Sequence, residues 1–195
     1  MKNKKVNISV FSRYLILLLV SLFSYIFYLA SPSFYNFEKL QSDLSSKLLN
    51  EFKLNAVLSS NIKYKILPSP HFEISNVILS TDQDNNFNKF AEIKKMKIYV
   101  SQLNLHKQKM LEINKVLFLD SNFNINNNSY TYINNFFKKK LTNKIIEIKK
   151  SKIFFTNKID KKDAVAITSI KNSEIYFNSK NNSNELIIRG LGFNN

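Results

Sequence analysis

The sequence predicts a mainly β protein with minor α: a membrane-spanning helix, an amphipathic helix, then a repeated β-sheet with one inserted helix. Three observations predict it. An uncharged apolar run near the N-terminus is long enough to approach a bilayer's width. One amphipathic helical segment follows, and then the apolar positions switch to alternation. From Glu73 onward a short strand-like unit recurs at intervals near twenty residues.

The chain has 195 residues, enough for one ordinary domain and an appendage. With only 2 glycines, turns rest mainly on Asn, Ser and Asp. The absence of Cys excludes disulfides and Cys-ligated metal sites. A net charge of +15 suggests nucleic acid or anionic lipid as a partner. Of the 29 basic residues, however, only Arg13 and Arg189 are arginine, the side chain whose planar fork matches phosphate. The charge therefore reads first as a Lys/Asn/Ile/Phe-rich composition and second as a selected basic surface.

Residues 1–13 form a basic tail with Lys2, Lys4, Lys5 and Arg13. The run "YLILLLVSLFSYIFYLA", Tyr14 to Ala30, spans roughly 25 Å as a helix. Leu15, Leu18, Phe23 and Ile26 supply its apolar body, and Tyr14, Tyr25 and Tyr28 lie towards its ends, where interfacial aromatics are favoured. The one-sided flanking charge puts the N-terminus in the cytoplasm and everything after Ala30 across the membrane. A cleaved signal peptide fits poorly: Tyr28 occupies the small-residue position, and Pro32 follows Ser31.

In residues 31–54, Phe37, Leu40, Leu44, Leu48, Leu49 and Phe52 fall at helical spacing, with Asn36 as N-cap. From residue 55 the period is two. "AVLSSNIKYKI" reads as a hairpin turning near Ser59 to Asn61. Pro68 and Pro70 then make a stiff corner, since proline cannot donate to a ladder. Beyond it, Glu-Ile units start at Glu73, Glu92, Glu112 and Glu147, with a weaker copy at Ser169. The long third interval holds "SYTYINNFFKKKL", whose Tyr130, Ile133, Phe136, Phe137 and Leu141 predict an inserted helix. Within the units the apolar offsets run 0, 3, 5 instead of 0, 2, 4, with Ser151 filling the +3 place in the fourth. One extra residue flips all later side chains unless a bulge absorbs it, so bulges or bends are expected near Asn76, Lys95, Lys115 and Lys150. The final strand, "ELIIRGLGFNN", has no capping element after it, so the chain reads as the N-terminal part of a longer protein.

The anchor, the helix, the corner "ILPSPHFEISNV" and the stretch "LNLHKQKMLEINKVLFLDSNFNI" together resemble the AsmA-like family. "IIEIKKSKIFF" and "ELIIRGLGF" fit its later strands. The family usually has a Gly before the Ile-x-Tyr strand, where this chain has Ser60 or Asn61. The resemblance implies a curved, largely antiparallel sheet folded into a trough with an apolar inner wall, in a protein of the bacterial inner membrane whose bulk is periplasmic. It implies binding or conduction of membrane phospholipids in envelope and outer-membrane biogenesis. On that reading Ile62, Tyr64 and Ile66, with Met96, Ile98 and Val100, line the lipid groove. Without the resemblance, the same alternation marks a closed core.

Enzymatic motifs are missing. His71 and His106 stand alone, without metal-ligand spacing, and read as solvated. Each unit's Glu reads as a cross-strand partner for Lys. "TDQDNN" at Thr81 to Asn86 lacks the glycine and terminal glutamate of a calcium loop and reads as a turn. "FFKKK", Phe136 to Lys140, reads as a solvated helix face or, less simply, as a membrane contact. No enzyme, metal, cofactor or nucleic-acid partner is expected. The alternative to lipid transfer is a non-transporting scaffold or regulator of outer-membrane protein assembly, acting on other envelope proteins.

Overall fold

A computed structural model describes residues 10–83, 86–159 and 162–191. Lys2, Lys4, Lys5, the tip of the "TDQDNN" turn and Gly192 lie outside them. Helix α1 (Val10–Ala30) is apolar and almost wholly exposed, and long and apolar enough to cross a membrane. A short 3-10 turn at Ser31–Phe34 leads to α2 (Phe37–Phe52). Asn36 caps α2 as its sequence predicts, Oδ1 accepting from Lys39 N at 3.0 Å.

Among the described residues, eight strands form one open mixed sheet. They are β1 (Ala56–Val57), β2 (Ile62–Lys65), β3 (His71–Gln83), β4 (Asn86–Val100), β5 (Ile113–Ile125), β6 (Ile145–Ile159), β7 (Lys162–Asn178) and β8 (Ser183–Leu191). The order is β1-β3-β4-β5-β6-β7-β8, with β2 beside β1 on the same edge of β3. All pairings are antiparallel except β5–β6, which is parallel because α3 (Asn127–Lys138) crosses over between them. A parallel join needs such a crossover, which is why the third sequence interval is long.

Two expectations change here. "AVLSSNIKYKI" is not a hairpin: β1 pairs with Leu79 and Ile78, and β2 with Ile74 through His71, so both run alongside β3. The polar break at Ser59–Asn61 interrupts one edge strand, and Ser59 Oγ donates to Ser75 O across the gap. The inserted helix begins and ends earlier than its apolar spacing suggests. Its start is set by a reciprocal cap, in which Asn126 Oδ1 accepts from Ser129 N and Ser129 Oγ accepts from Asn126 N.

The parity break of the units is a seam crossing the sheet. The ladder passes over Asn76 and Lys94, then Asp120, Lys150 and Lys171, each opposite the last. Asn76, Asp120 and Lys150 take left-handed backbone, with φ of 53°, 52° and 50°. Each strand thereby presents two successive residues outward. The flanking pairs Ile74 and Val77, Ile93 and Met96, Phe118 and Ser121, Ile148 and Ser151, and Ile170 and Ser173 are all buried. The expected irregularities at Asn76 and Lys150 fall where the spacing puts them; that of β4 lies at Lys94, one residue early. Strand β5 breaks twice, at Asn114, where its register with Tyr99 and Val100 shifts, and at Asp120. At β8 the seam meets Gly190, where a Cβ would lie 2.2 Å from Ser169 O.

The core lies between the sheet's inner face and the two helices. Leu40, Leu44, Leu48 and Phe52 of α2 join one continuous cluster with Phe72, Ile74, Met96 and Ile98. Burying four such side chains contributes roughly 1.5–3 kcal/mol each before entropy is counted. Phe37 and Leu49 stay largely exposed, so the buried stripe of α2 is narrower than its apolar spacing.

Candidate functional site

The site is an apolar cavity between α3 and the inner face of β4–β8. Its volume is about 230 Å³. Its roof is Tyr132, Ile133, Phe136 and Phe137 of α3. Its floor comes from alternate residues of the strands, among them Phe118, Phe123, Ile146, Ile153, Ile170 and Ile188. Ser173 is the one lining residue with a non-aromatic hydroxyl, and it is buried. Empty apolar cavities of about 150 Å³ already stay dry and accept hydrocarbon ligands, so this one is large enough to do so.

Local sequence explains the shape. The seam lets Phe118 and Phe123, or Ile148 and Ile153, face the same side although an uninterrupted strand would put them on opposite faces. At its C-terminal end α3 is pinned to β8: Asn184 Nδ2 donates to Phe137 O and Lys139 O, and Asn184 Oδ1 accepts from Leu141 N. The roof packs on the floor through Phe90 and Tyr132, ring centroids 5.2 Å apart. The helix face differs from that read in the sequence, with Tyr132 inward and Tyr130 exposed. Lys140 Nζ lies 4.4 Å above the Phe177 ring, so the "FFKKK" end of the helix is held against β7.

None of the six residues assigned to a groove in the sequence lines this cavity. Ile62, Met96, Ile98 and Val100 are buried in the closed core beside α2, with Tyr64 and Ile66 packed at its margin. Tyr64 Oη donates to Leu29 O at 2.7 Å and so ties the sheet to the end of α1. Burial, reinforced by Tyr35 and Tyr28, pushes the Tyr64 hydroxyl up to about 12. The sequence signal for the open half was there in Ile148, Ile153 and Phe136. Alternation alone does not say which half of a sheet a helix fills. Pro68 and Pro70 lie in the β2–β3 connection, where Pro70 O accepts from Val100 N.

The polar face is organised by carboxylates. Glu73 holds Lys65 at 3.1 Å, with Lys95 and Lys97 at 3.7 and 3.8 Å. Glu147 holds Lys115 at 2.7 Å and Lys149 at 2.5 Å. Burial raises both carboxyls, but the surrounding lysines outweigh it and the net shift is downward. Glu92 pairs with Lys89 on its own strand instead of across the sheet. His71 is not solvated: it is 1% exposed, its Nδ1 lies 2.7 Å from Ser69 O, and its ring stacks near Tyr99. Among the described residues no group of three or more His, Asp or Glu side chains could hold a metal.

Fold and cavity together define a class: a sheet protein carried on one apolar N-terminal helix, with an apolar space against the sheet's inner face. The sequence profile of the AsmA family matches residues 1–129, a stretch that includes α1 and reaches the first turn of α3, and the chain belongs to that family. No curated protein matches the sequence.

Proposed function

We propose that this protein is a single-pass inner-membrane protein whose periplasmic sheet domain shields a phospholipid acyl chain in the cavity beneath α3. It would do so in envelope and outer-membrane biogenesis, as a non-enzymatic binder or conductor of lipid. The observation that carries this reading is the almost purely apolar lining of a 230 Å³ cavity. Such a lining favours hydrocarbon and offers almost nothing to a polar substrate. Membership of the AsmA family supports an envelope role, and the exposed apolar α1 supports anchoring.

The test is photo-crosslinking in membranes that contain labelled phospholipid. A benzophenone side chain at Phe123, on the cavity floor, should give lipid adducts, and one at the neighbouring, exposed Asn122 should not. A probe at the fully buried Ile98 should also stay unlabelled. Equal labelling at Phe123 and Asn122, or none at either, would sink the lipid reading. A scaffold role is the second reading. Its support is the outer face of β6–β8, where the basic side chains Lys150, Lys152, Lys171 and Arg189 surround a shallow depression suited to an acidic envelope protein.

A further inference from the structure

The last turns of α1 are bound to the β4–β5 connection. Tyr28 Oη donates to Gln102 O at 2.7 Å, and Tyr25 Oη donates to Gln102 Oε1 at 3.0 Å. Ser31 Oγ donates to Leu105 O at 3.0 Å, and Tyr35 Oη donates to the same carbonyl. Side chains on a helix lean toward its N-terminus, which for α1 means toward the middle of its apolar stretch. A bond from Tyr25 therefore draws Gln102 alongside the helix, about 7 Å or more short of its C-terminal end at a rise of about 1.5 Å per residue. The 21 residues of α1 run about 32 Å, against a hydrocarbon core of about 30 Å. A spanning α1 has little length to spare. Its final turns then lie at the hydrocarbon boundary, and Gln102 lies there with them.

The side chains around Gln102 suit that depth. Leu103 is 69% exposed and Met110 54%, whereas Leu105 and Leu111 are buried and fix the loop to the core. The Pro68–Pro70 turn shares a depression with Gln102, and its Leu67 is 80% exposed. Lys107 and Lys109 stand exposed beside this apolar rim. Protruding apolar side chains flanked by lysines match the boundary between acyl chains and lipid headgroups.

We propose that the end of the sheet nearest α1 is seated in the bilayer interface. Leu103, Met110 and Leu67 enter the outer acyl region, and Lys107 and Lys109 face lipid phosphates. The protein then holds the membrane at two places, and its sheet stands at a set angle to the bilayer. This rests on the reading that α1 spans the membrane.

The chain contains no Trp, so a single introduced indole reports its own surroundings. The full-length protein is reconstituted into phosphatidylcholine vesicles containing a minority of phosphatidylglycerol, as Phe23→Trp, Leu103→Trp and Asn122→Trp variants. Phe23→Trp should be quenched by lipids brominated deep in the chain. Leu103→Trp should be blue-shifted and quenched by lipids brominated near the headgroup. Asn122→Trp, on the outer face of β5, should show neither. If Phe23→Trp is quenched and Leu103→Trp behaves like Asn122→Trp, the seat is overturned and the anchor stands. If Phe23→Trp is not quenched, the anchor reading falls and takes the seat with it.

Discussion

Ser151 occupies a unit position where the sequence puts a hydroxyl in place of an apolar residue, and its surroundings explain why. It is 2% exposed. Its Oγ donates to Lys149 O at 2.8 Å and accepts from Ser121 N at 3.0 Å, bridging the gap in the β5–β6 ladder. An unmet buried backbone group costs about 1–3 kcal/mol, so Ser151→Ala should destabilise by that amount in urea unfolding. Loss of well under about 0.5 kcal/mol would mean that water satisfies Ser121 N instead. Glu147 gives a second prediction. Its side chain is only 7% exposed, and its carboxyl titrates below the usual 4.5 in the fold. The unfolded chain then binds more protons than the native one across that window. The stability contributed by the pair is present above about pH 4.5 and is lost as pH falls through the folded value. Glu147→Gln should flatten the acid limb of a stability–pH curve, leaving the part due to Glu73. An acid limb of unchanged slope would argue against this. At this scale the sequence was only partly legible. The seam was visible as an offset in β3, β4, β6 and β7, but in β5 the offset marks Asn114 and not the seam residue Asp120. The burial of His71 was not visible, because it depends on Tyr99 arriving from the neighbouring strand.

Element α2 was the most legible, since its cap and period are local properties. Its energetics were not, because only packing decides which leucines face inward. Leu44→Ala should cost about 2–5 kcal/mol, as for other buried leucines. Leu49→Ala, at a position 46% exposed, should cost under about 0.5 kcal/mol. Comparable losses at both positions would mean that α2 packs on a second surface. The strands were legible in number and parity from Glu73 onward. The pairing of β1 and β2 was misread because a short polar break between alternating runs looks the same in a hairpin and in an interrupted edge strand. The cavity was illegible for a related reason. Alternation identifies an inner face, but α2 fills that face beside one half of the sheet while α3 only roofs it over the other, from Phe90 of β4 to β8.

For the whole molecule, that unequal filling should appear as unequal protection. Amides of β3 and β4, packed under α2, should exchange slowest. Those of β8, where Leu186, Ile187 and Ile188 are each 42–50% exposed, should exchange earliest among the strands. Uniform protection across the sheet, measured by hydrogen exchange in detergent, would contradict the division. Opening on the β8 side is also what entry of a chain into the cavity needs. The seam has a further consequence at this scale. Asn76, Lys94, Asp120, Lys150 and Lys171 align only in one register, because each strand's break must meet those of its neighbours. A strand that slid by one residue would leave its own break opposite regular backbone on both sides and turn part of its apolar row to water. The row of breaks therefore acts as a notch cut at one height through every strand from β3 to β7, and during assembly it rejects near-identical Glu-Ile units laid down out of step.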